Sequence, residues 1–485
     1  MTFELTTLGE YARVQGGYAY KSKDFSESGK CPVLKIKNVR FGNVDYAEAS
    51  FISEEIANET KDWKTKEGDI LISMTGSGPN APQSLVGRVA RVWEDEPDAW
   101  INQRVGRIVL KEEGSIHPDF LFYLISTPRS QDYLVSNSSG SANQANISGK
   151  TIESLPCPKV DFDQSAAIAK ILRELDQKIL LNRQINQTLE QIAQAIFKSW
   201  FVDFEPVKAK AQVRASAAKG RTPESGQNSI NEKELEAEMN RAVMRAISGK
   251  TDEELDQLSP EQRLQLTTTA ALFPDELEDS ELGEIPKGWK VKPLDKVADY
   301  LNGLALQKFP AEDGEESLPV IKIAQLKKGD SKGADRASKN IKPEYVIDNG
   351  DVIFSWSGSL FIDIWCGGEG ALNQHLFKVT SDNYPKWFYL YWTNYHLTEF
   401  QRIAADKAVT MGHIKRGNLS SAMCLVPVEK LINSLGEYIS TLVELSVKRR
   451  LENENLAKIR DSLLPKLLSG EITPSDTQST AEAVA

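Results

Sequence analysis

Cysteine is scarce: the four in the chain stand at 31, 157, 366 and 424, and none forms a Cys-x-x-Cys pair. Neither a disulfide framework nor a cysteine zinc site is supported, and buried free thiols are expected. Histidine is as rare, and His117, His375, His396 and His413 lack His-Glu-x-x-His or any similar ligand spacing. Apolar runs of the ~18 residues that a membrane helix needs are missing. The start, Met1-Thr2-Phe3-Glu4-Leu5, has no basic region followed by an apolar one. A cytoplasmic chain without a membrane partner is expected.

Motifs for chemistry are also missing. A phosphate-cradling Gly-x-x-x-x-Gly-Lys-Ser/Thr loop is approached twice, but Gln144 stands where Gly149-Lys150-Thr151 needs its first glycine, and Met244 where Gly249-Lys250-Thr251 does. Gly76-Ser77-Gly78 lacks the third glycine of a dinucleotide fingerprint. No Asn/Asp-Pro-Pro-aromatic tetrapeptide marks an amino-methyltransferase. Pro274-Asp275, Glu284 and Lys287 miss the Glu-x-Lys spacing of a metal-dependent nuclease. No catalytic residue, metal site or resident cofactor is expected.

Charge leaves nucleic-acid binding open. The net charge of -11 is spread unevenly over 485 residues: residues 1–160 carry -3, residues 206–285 carry -6, and residues 286–428 carry +2. A summed charge over several domains hides any basic face. With 40% apolar and 26% charged residues, the composition suits two or three globular domains.

What is present is a repeat. Leu8 to Gly17 aligns with Leu294 to Gly303 at an offset of 286, Pro32 to Ile36 with Pro319 to Ile323 at 287, and Gly68 to Ser73 with Gly350 to Ser355 at 282. Asn102-Gln103 meets Asn373-Gln374 at 271, and from Ile147/Ile414 to Ile192/Ile459 the offset stays at 267. Drift marks loops of unequal length, and constancy marks a helix that tolerates no insertion. In that constant stretch Ile168, Leu172, Leu175, Ile179, Leu189, Ile192, Ile196 and Trp200 recur at helical spacing, as do Leu435, Ile439, Leu442, Leu456, Ile459, Leu463 and Leu467. Asn182 and Arg449 interrupt the two seams at equivalent places.

The expected architecture is an α/β (α+β) chain in which two repeated globular domains are joined by two long antiparallel amphipathic helices. The expected boundaries are residues 1–158 for the first domain, 159–205 for the central helix and 206–285 for a connector with short helices. The second domain follows at 286–428, the C-terminal helix at 429–470 and a disordered tail at 471–485. In the connector, Thr251 with Glu254 and Ser259-Pro260-Glu261 read as helix starts.

The connector phrases carry a family likeness. Trp200-Phe201-Val202-Asp203-Phe204, Ala270-Ala271-Leu272-Phe273-Pro274-Asp275-Glu276-Leu277 and Ser280-Glu281-Leu282-Gly283-Glu284-Ile285-Pro286-Lys287-Gly288-Trp289, set between two repeats each followed by a long helix, resemble the specificity subunit of Type I restriction-modification enzymes. The resemblance runs to Ile472. It implies two target-recognition domains, each reading one half of a split, asymmetric sequence in double-stranded DNA. It also implies helices that separate the domains and dock modification subunits, two of them, with restriction/translocase subunits completing the complex. S-adenosylmethionine, ATP and magnesium would then belong to those partners. The competing readings are a fused methyltransferase or nuclease, and a coiled-coil adaptor without DNA specificity.

Candidate contacts follow by matching the halves. Lys35 and Lys322 hold equivalent positions, with Lys37, Arg40, Lys327 and Lys328 just beyond; each is a phosphate contact or a solvated charge. Thr75 and Ser77, and Ser357 and Ser359, follow the Gly-Asp strands, in a phosphate-gripping turn or an ordinary one. Asn102-Gln103-Arg104 and Asn373-Gln374-His375 offer amides suited to adenine or to the backbone. Gln144, Asn146, Thr410 and Lys415 lie in polar loops before each domain's last strand.

Overall fold

The computed structural model describes residues 3–78, 85–141, 144–219, 231–406 and 412–475. The chain divides into two compact units, Met1–Leu180 with Glu454–Ala485, and Leu181–Asn453. Among the described residues no helix is long and apolar enough to cross a membrane, and no group of three His, Cys, Asp or Glu side chains is placed to hold a metal ion.

The first unit is built on a four-stranded antiparallel sheet in the order Ala12–Gly16, Val105–Leu110, Ile70–Ser73, Val89–Arg91. Beside it Cys31–Leu34 pairs antiparallel with Ser50–Ile52 and parallel with Trp100–Ile101. A third sheet joins Ser139–Ser141, Gln144–Asn146 and Thr75–Gly76, and Leu5–Thr7 closes on Pro156–Pro158. Cys31–Leu34 and Ile70–Ser73 are buried along their whole length, as continuous apolar runs covered on both faces require. The helix Pro118–Ile125 seats Phe120, Leu121 and Leu124 in the core.

The second unit repeats this plan. Asp299–Asn302, Leu376–Thr380, Val352–Ser355 and Phe361–Ile364 form its antiparallel sheet, and Ser317–Ile321 runs parallel to Gly370–Leu372 within a second four-stranded sheet. Lys290–Pro293 closes on Met423–Val426, as Leu5–Thr7 does on Pro156–Pro158. The helix Lys386–Asp406 buries Trp387, Phe388 and Trp392.

Two long helices, Phe162–Phe197 and Glu429–Ser469, pass through the division between the units. They run antiparallel. In the first unit Ile168, Ala169 and Leu172 share a core with Leu467 and Leu468, and eight residues after Ile168 Asp176 accepts from Arg460 at 2.6 Å. In the second unit Asn182, fully buried, donates to Asn453 at 3.0 Å, so this polar interruption of the seam meets another amide. Arg449 is turned to Glu452 at 2.9 Å. Ile192 and Ile459, both expected in the seam, are exposed; Ala193 and Phe197 enter the core beside the expected Trp200, with Phe197 stacked on Phe201.

The connector is part of the second unit's core. Helices Glu205–Lys219, Glu232–Ser248, Asp252–Asp256 and Pro260–Ala271 contribute Val207, Val243, Met244, Leu255 and Ala270, joined by Phe273. Thr251 with Glu254, and Ser259 with Gln262, form reciprocal capping boxes at the expected starts. Lys210 is buried and donates to Ala270 O at 3.1 Å and Phe273 O at 2.7 Å, at the end of the helix Pro260–Ala271; burial lowers its pKa. At the other end of the chain, Glu471 and Ile472 still donate to Lys466 O, and Ile472 packs on the first unit's core. Within the tail expected to be disordered, residues 476–485 lie outside the described residues.

Candidate nucleic-acid interface

Gly17 and Gly303 hold the same place in the two units, and close packing requires both. A Cβ on Gly17 would lie 2.1 Å from the Asn102 carbonyl oxygen, and one on Gly303 2.3 Å from that of Asn373. The surrounding hydrogen bonds repeat one for one. Asn102 N donates to Leu34 O and Asn373 N to Ile321 O, at 3.0 and 3.2 Å; Gln103 N donates to Tyr18 O and Gln374 N to Leu304 O, both at 2.9 Å. Met74 N donates to Arg104 O and Trp356 N to His375 O, at 2.8 and 3.4 Å, while Ile147 N and Ile414 N reach Met74 O and Trp356 O, both at 3.0 Å. One backbone frame thus displays Asn102-Gln103-Arg104 and Asn373-Gln374-His375.

The side chains on the frame differ. Gln103 and Arg104 are exposed, and among the described residues neither side chain has a hydrogen-bond partner. Asn373 is buried and accepts from His375 N at 3.2 Å, so its amide serves the backbone rather than a ligand. Thr75 is buried and donates to Asn146 Oδ1 at 3.0 Å; Asn146 Nδ2 donates to Gln144 O at 3.4 Å, and the Gln144 side chain is exposed. Ser357 is likewise buried, its Oγ 2.9 Å from His375 Nδ1, with Gln374 Nε2 3.4 Å from His375 Nε2. Ser77 is half-buried and its carbonyl accepts from Val86; Ser359 is exposed and its carbonyl accepts from Ser355 Oγ at 2.9 Å.

The model of the Type I restriction modification DNA specificity domain matches residues 1–191 and 286–428, covering both frames. The chain belongs to this specificity-subunit family. It is similar to the Type I restriction enzyme HindI specificity subunit of Haemophilus influenzae, 29% identical over 460 residues that cover 90% of this chain and 94% of the relative. Similarity to the MjaIX specificity subunit of Methanocaldococcus jannaschii is 23% over 476 residues, covering 93% and 92%. The crystal structure of the S subunit from M. genitalium aligns over 96% of both chains at 13% identity and a TM-score of 0.48.

On this specificity chain the equivalent lysines are used differently. Lys35 is half-buried, donating to Ser50 Oγ at 2.8 Å and lying 3.7 Å over the Phe25 ring; burial, then Lys37, lowers its pKa. Lys322 is exposed and paired with Asp335. Lys37 and Arg40 pair with Glu48 and Asp45 at 3.3 and 3.4 Å, and Lys328 with Asp330 at 3.0 Å. Lys327 is exposed without a side-chain partner among the described residues, and Lys415 is exposed at the start of the helix Arg416–Ser421. Thr410 lies outside the described residues.

Sequence matching passed over Met74, Trp356 and His413. Trp356 is half-buried, stacks on Phe377 at 5.7 Å, meets His375 and His413 at 6.1 and 6.3 Å, and donates from Nε1 to Asn302 at 2.9 Å. Offsets of 282 and 267 pair it with Met74, and His413 with Asn146. Extending those offsets across unlike residues is the signal that finds them.

Proposed function

We propose that the chain is the DNA sequence-recognition subunit of a Type I restriction-modification complex. Residues 1–158 and 286–428 are its two target-recognition domains, reading the halves of a bipartite, asymmetric target in double-stranded DNA. The long helices hold them and dock modification (methyltransferase) subunits, two per complex, and restriction subunits. Specificity subunits are noncatalytic in general. In this reading the chain performs no chemistry, and S-adenosylmethionine, ATP and magnesium act on the partners.

The observation that supports this reading is one backbone frame occurring twice with unlike side chains. Equal frames dock alike on phosphate, and unlike side chains select unlike bases. Replacing residues 1–158 by the corresponding domain of another specificity subunit, followed by genome-wide methylation mapping in a host carrying the whole system, tests it. One half of the methylated sequence changes and the other persists. Change in both halves at once would show joint reading.

A further inference from the structure

We infer that four aligned positions on the doubled frame determine specificity, and that the two units fill them with different base-reading chemistries: a guanidinium in the first, an indole-imidazole cluster in the second. This inference rests on the DNA-recognition reading above and names the side chains that carry it. The four positions are Arg104, Met74, Thr75 and Asn146 in the first unit, and His375, Trp356, Ser357 and His413 in the second. Their equivalence comes from the backbone. Ile147 and Ile414 bond to Met74 and Trp356, which bond in turn to Arg104 and His375. Thr75 pairs in register with Asn146, and Ser357 pairs antiparallel with His413.

In the first unit the hydroxyl and the amide are already committed to each other, through Thr75 Oγ1 and Asn146 Oδ1 at 3.0 Å. Arg104 is the uncommitted group, exposed and without a side-chain partner among the described residues. Its planar fork of donors matches guanine O6 and N7 together, which no single ring nitrogen does. In the second unit the same frame position offers His375, its ring beside Trp356, with Nδ1 engaged by Ser357 at 2.9 Å and Nε2 only in a long 3.4 Å contact with Gln374 Nε2, which a base can replace. The Trp356 N–H is engaged by Asn302, so the indole presents carbon to a ligand. An apolar ring edge beside one imidazole nitrogen suits the thymine methyl with a single neighbouring hydrogen bond. It does not suit a bidentate contact. The first half-site therefore contains a guanine set by Arg104, and the second an A·T pair set by Trp356 and His375.

Methylation mapping of the assembled complex tests this. The unaltered complex is the control for the underlying reading: if it yields no bipartite motif, that reading fails whatever the variants do. Given a bipartite motif, R104Q relaxes one guanine position in one half, with discrimination falling roughly 5- to 150-fold, and leaves the other half unchanged. H375Q relaxes an A·T position in the other half only. R104K keeps the charge but loses the fork, so it relaxes the guanine by less than R104Q does while leaving the salt dependence of binding unchanged. Among the described residues the Arg104 side chain has no hydrogen bond to lose, so R104Q melts with the parent chain, and H375Q is checked against the same melting profile. An unrelaxed motif in both arginine variants overturns the inference. So does uniform weakening on cognate and unrelated DNA in R104Q that R104K restores, which would make Arg104 a phosphate contact.

Discussion

Behind each frame an ion pair braces the Gly-Asp turn, and the two units build it from different cations. Asp69 receives Arg107 at 2.8 Å in the first unit, and Asp351 receives Lys378 at 2.8 Å in the second. Arg107 goes on to Gln15 and to the carbonyls of Asp62 and Lys64, whereas Lys378 adds, among the described residues, Val346 O alone, at 3.3 Å. The turn is otherwise the same: Asp69 accepts from Lys66 N and Asp351 from Asp348 N, both at 2.9 Å. Shared geometry here resides in peptide groups, which every sequence supplies, so the attached side chains are free to diverge without moving the frame. Two copies of one fold can thereby present different surfaces.

The largest expected contrast lies in a second pair of ion pairs. Arg91 and Asp119 meet at 2.8 Å with side chains 6% and 4% exposed, and Arg173 of the central helix approaches the same carboxylate at 3.4 Å. Arg450 and Asp363 meet at 2.8 Å but are 26% and 29% exposed. Asp119→Asn strands a buried guanidinium and should cost about 3 to 5 kcal/mol. Asp363→Asn, relieved by solvent, should cost about 1 to 2 kcal/mol. Urea unfolding followed separately for each unit by hydrogen exchange would measure both, and equal losses would remove burial as the source of the difference.

A smaller contrast lies in charge. Between Lys322 and Lys342 the second unit carries seven Lys/Arg against two Asp, whereas Lys37 and Arg40 of the first are matched by Glu48 and Asp45. Lys327→Ala with Lys332→Ala should reduce the magnitude of the log-log salt slope of DNA binding by about 2, and Lys37→Ala with Arg40→Ala by about 1 or less. Titrations of the assembled complex at several salt concentrations give these slopes, and the reverse order would place the main phosphate grip in the first unit. Lys35→Ala, losing Ser50 and Phe25, should lower stability more than it changes the slope.

The smallest effect concerns Cys157 and Cys424, fully buried at equivalent points on the strands that close each domain. Burial pushes the Cys157 thiol up to about 12 and raises that of Cys424 as well. Iodoacetamide at pH 8 should therefore label both slowly in the native chain. As denaturant rises, peptide mass spectrometry should show each site reporting the opening of its own unit. Rapid labelling of both in buffer alone would contradict this.

The repeat and the helix starts were legible because they rest on local pattern: offsets that survive loop changes, and capping residues three apart. The connector's place in the core was not, because Val207, Met244 and Phe273 find one another only after three helices have turned back. The match of Lys35 with Lys322 is legible in the sequence, but the burial of Lys35 depends on Phe25 and Ser50, which lie in segments with no counterpart signal. Asn102-Gln103 and Asn373-Gln374 align because those residues are identical in both halves, and the unlike Arg104 and His375 come into view only as the next residues along. Trp356 and His413 were passed over because they are unlike Met74 and Asn146, the property that makes such positions useful for discrimination.

The first unit takes Glu454–Ala485 from the far end of the chain, and Leu463, Leu464, Leu467, Leu468 and Ile472 complete its apolar interior. A ribosome that has finished Leu180 must still add more than 270 residues before those side chains are made. At about 5 to 20 residues per second that interval is roughly 15 to 60 s. Throughout it Ile168, Ala169 and Leu172 lack their covering leucines, while every residue of the second unit has already been made when Asn453 is added. The domain translated first is therefore the last to close.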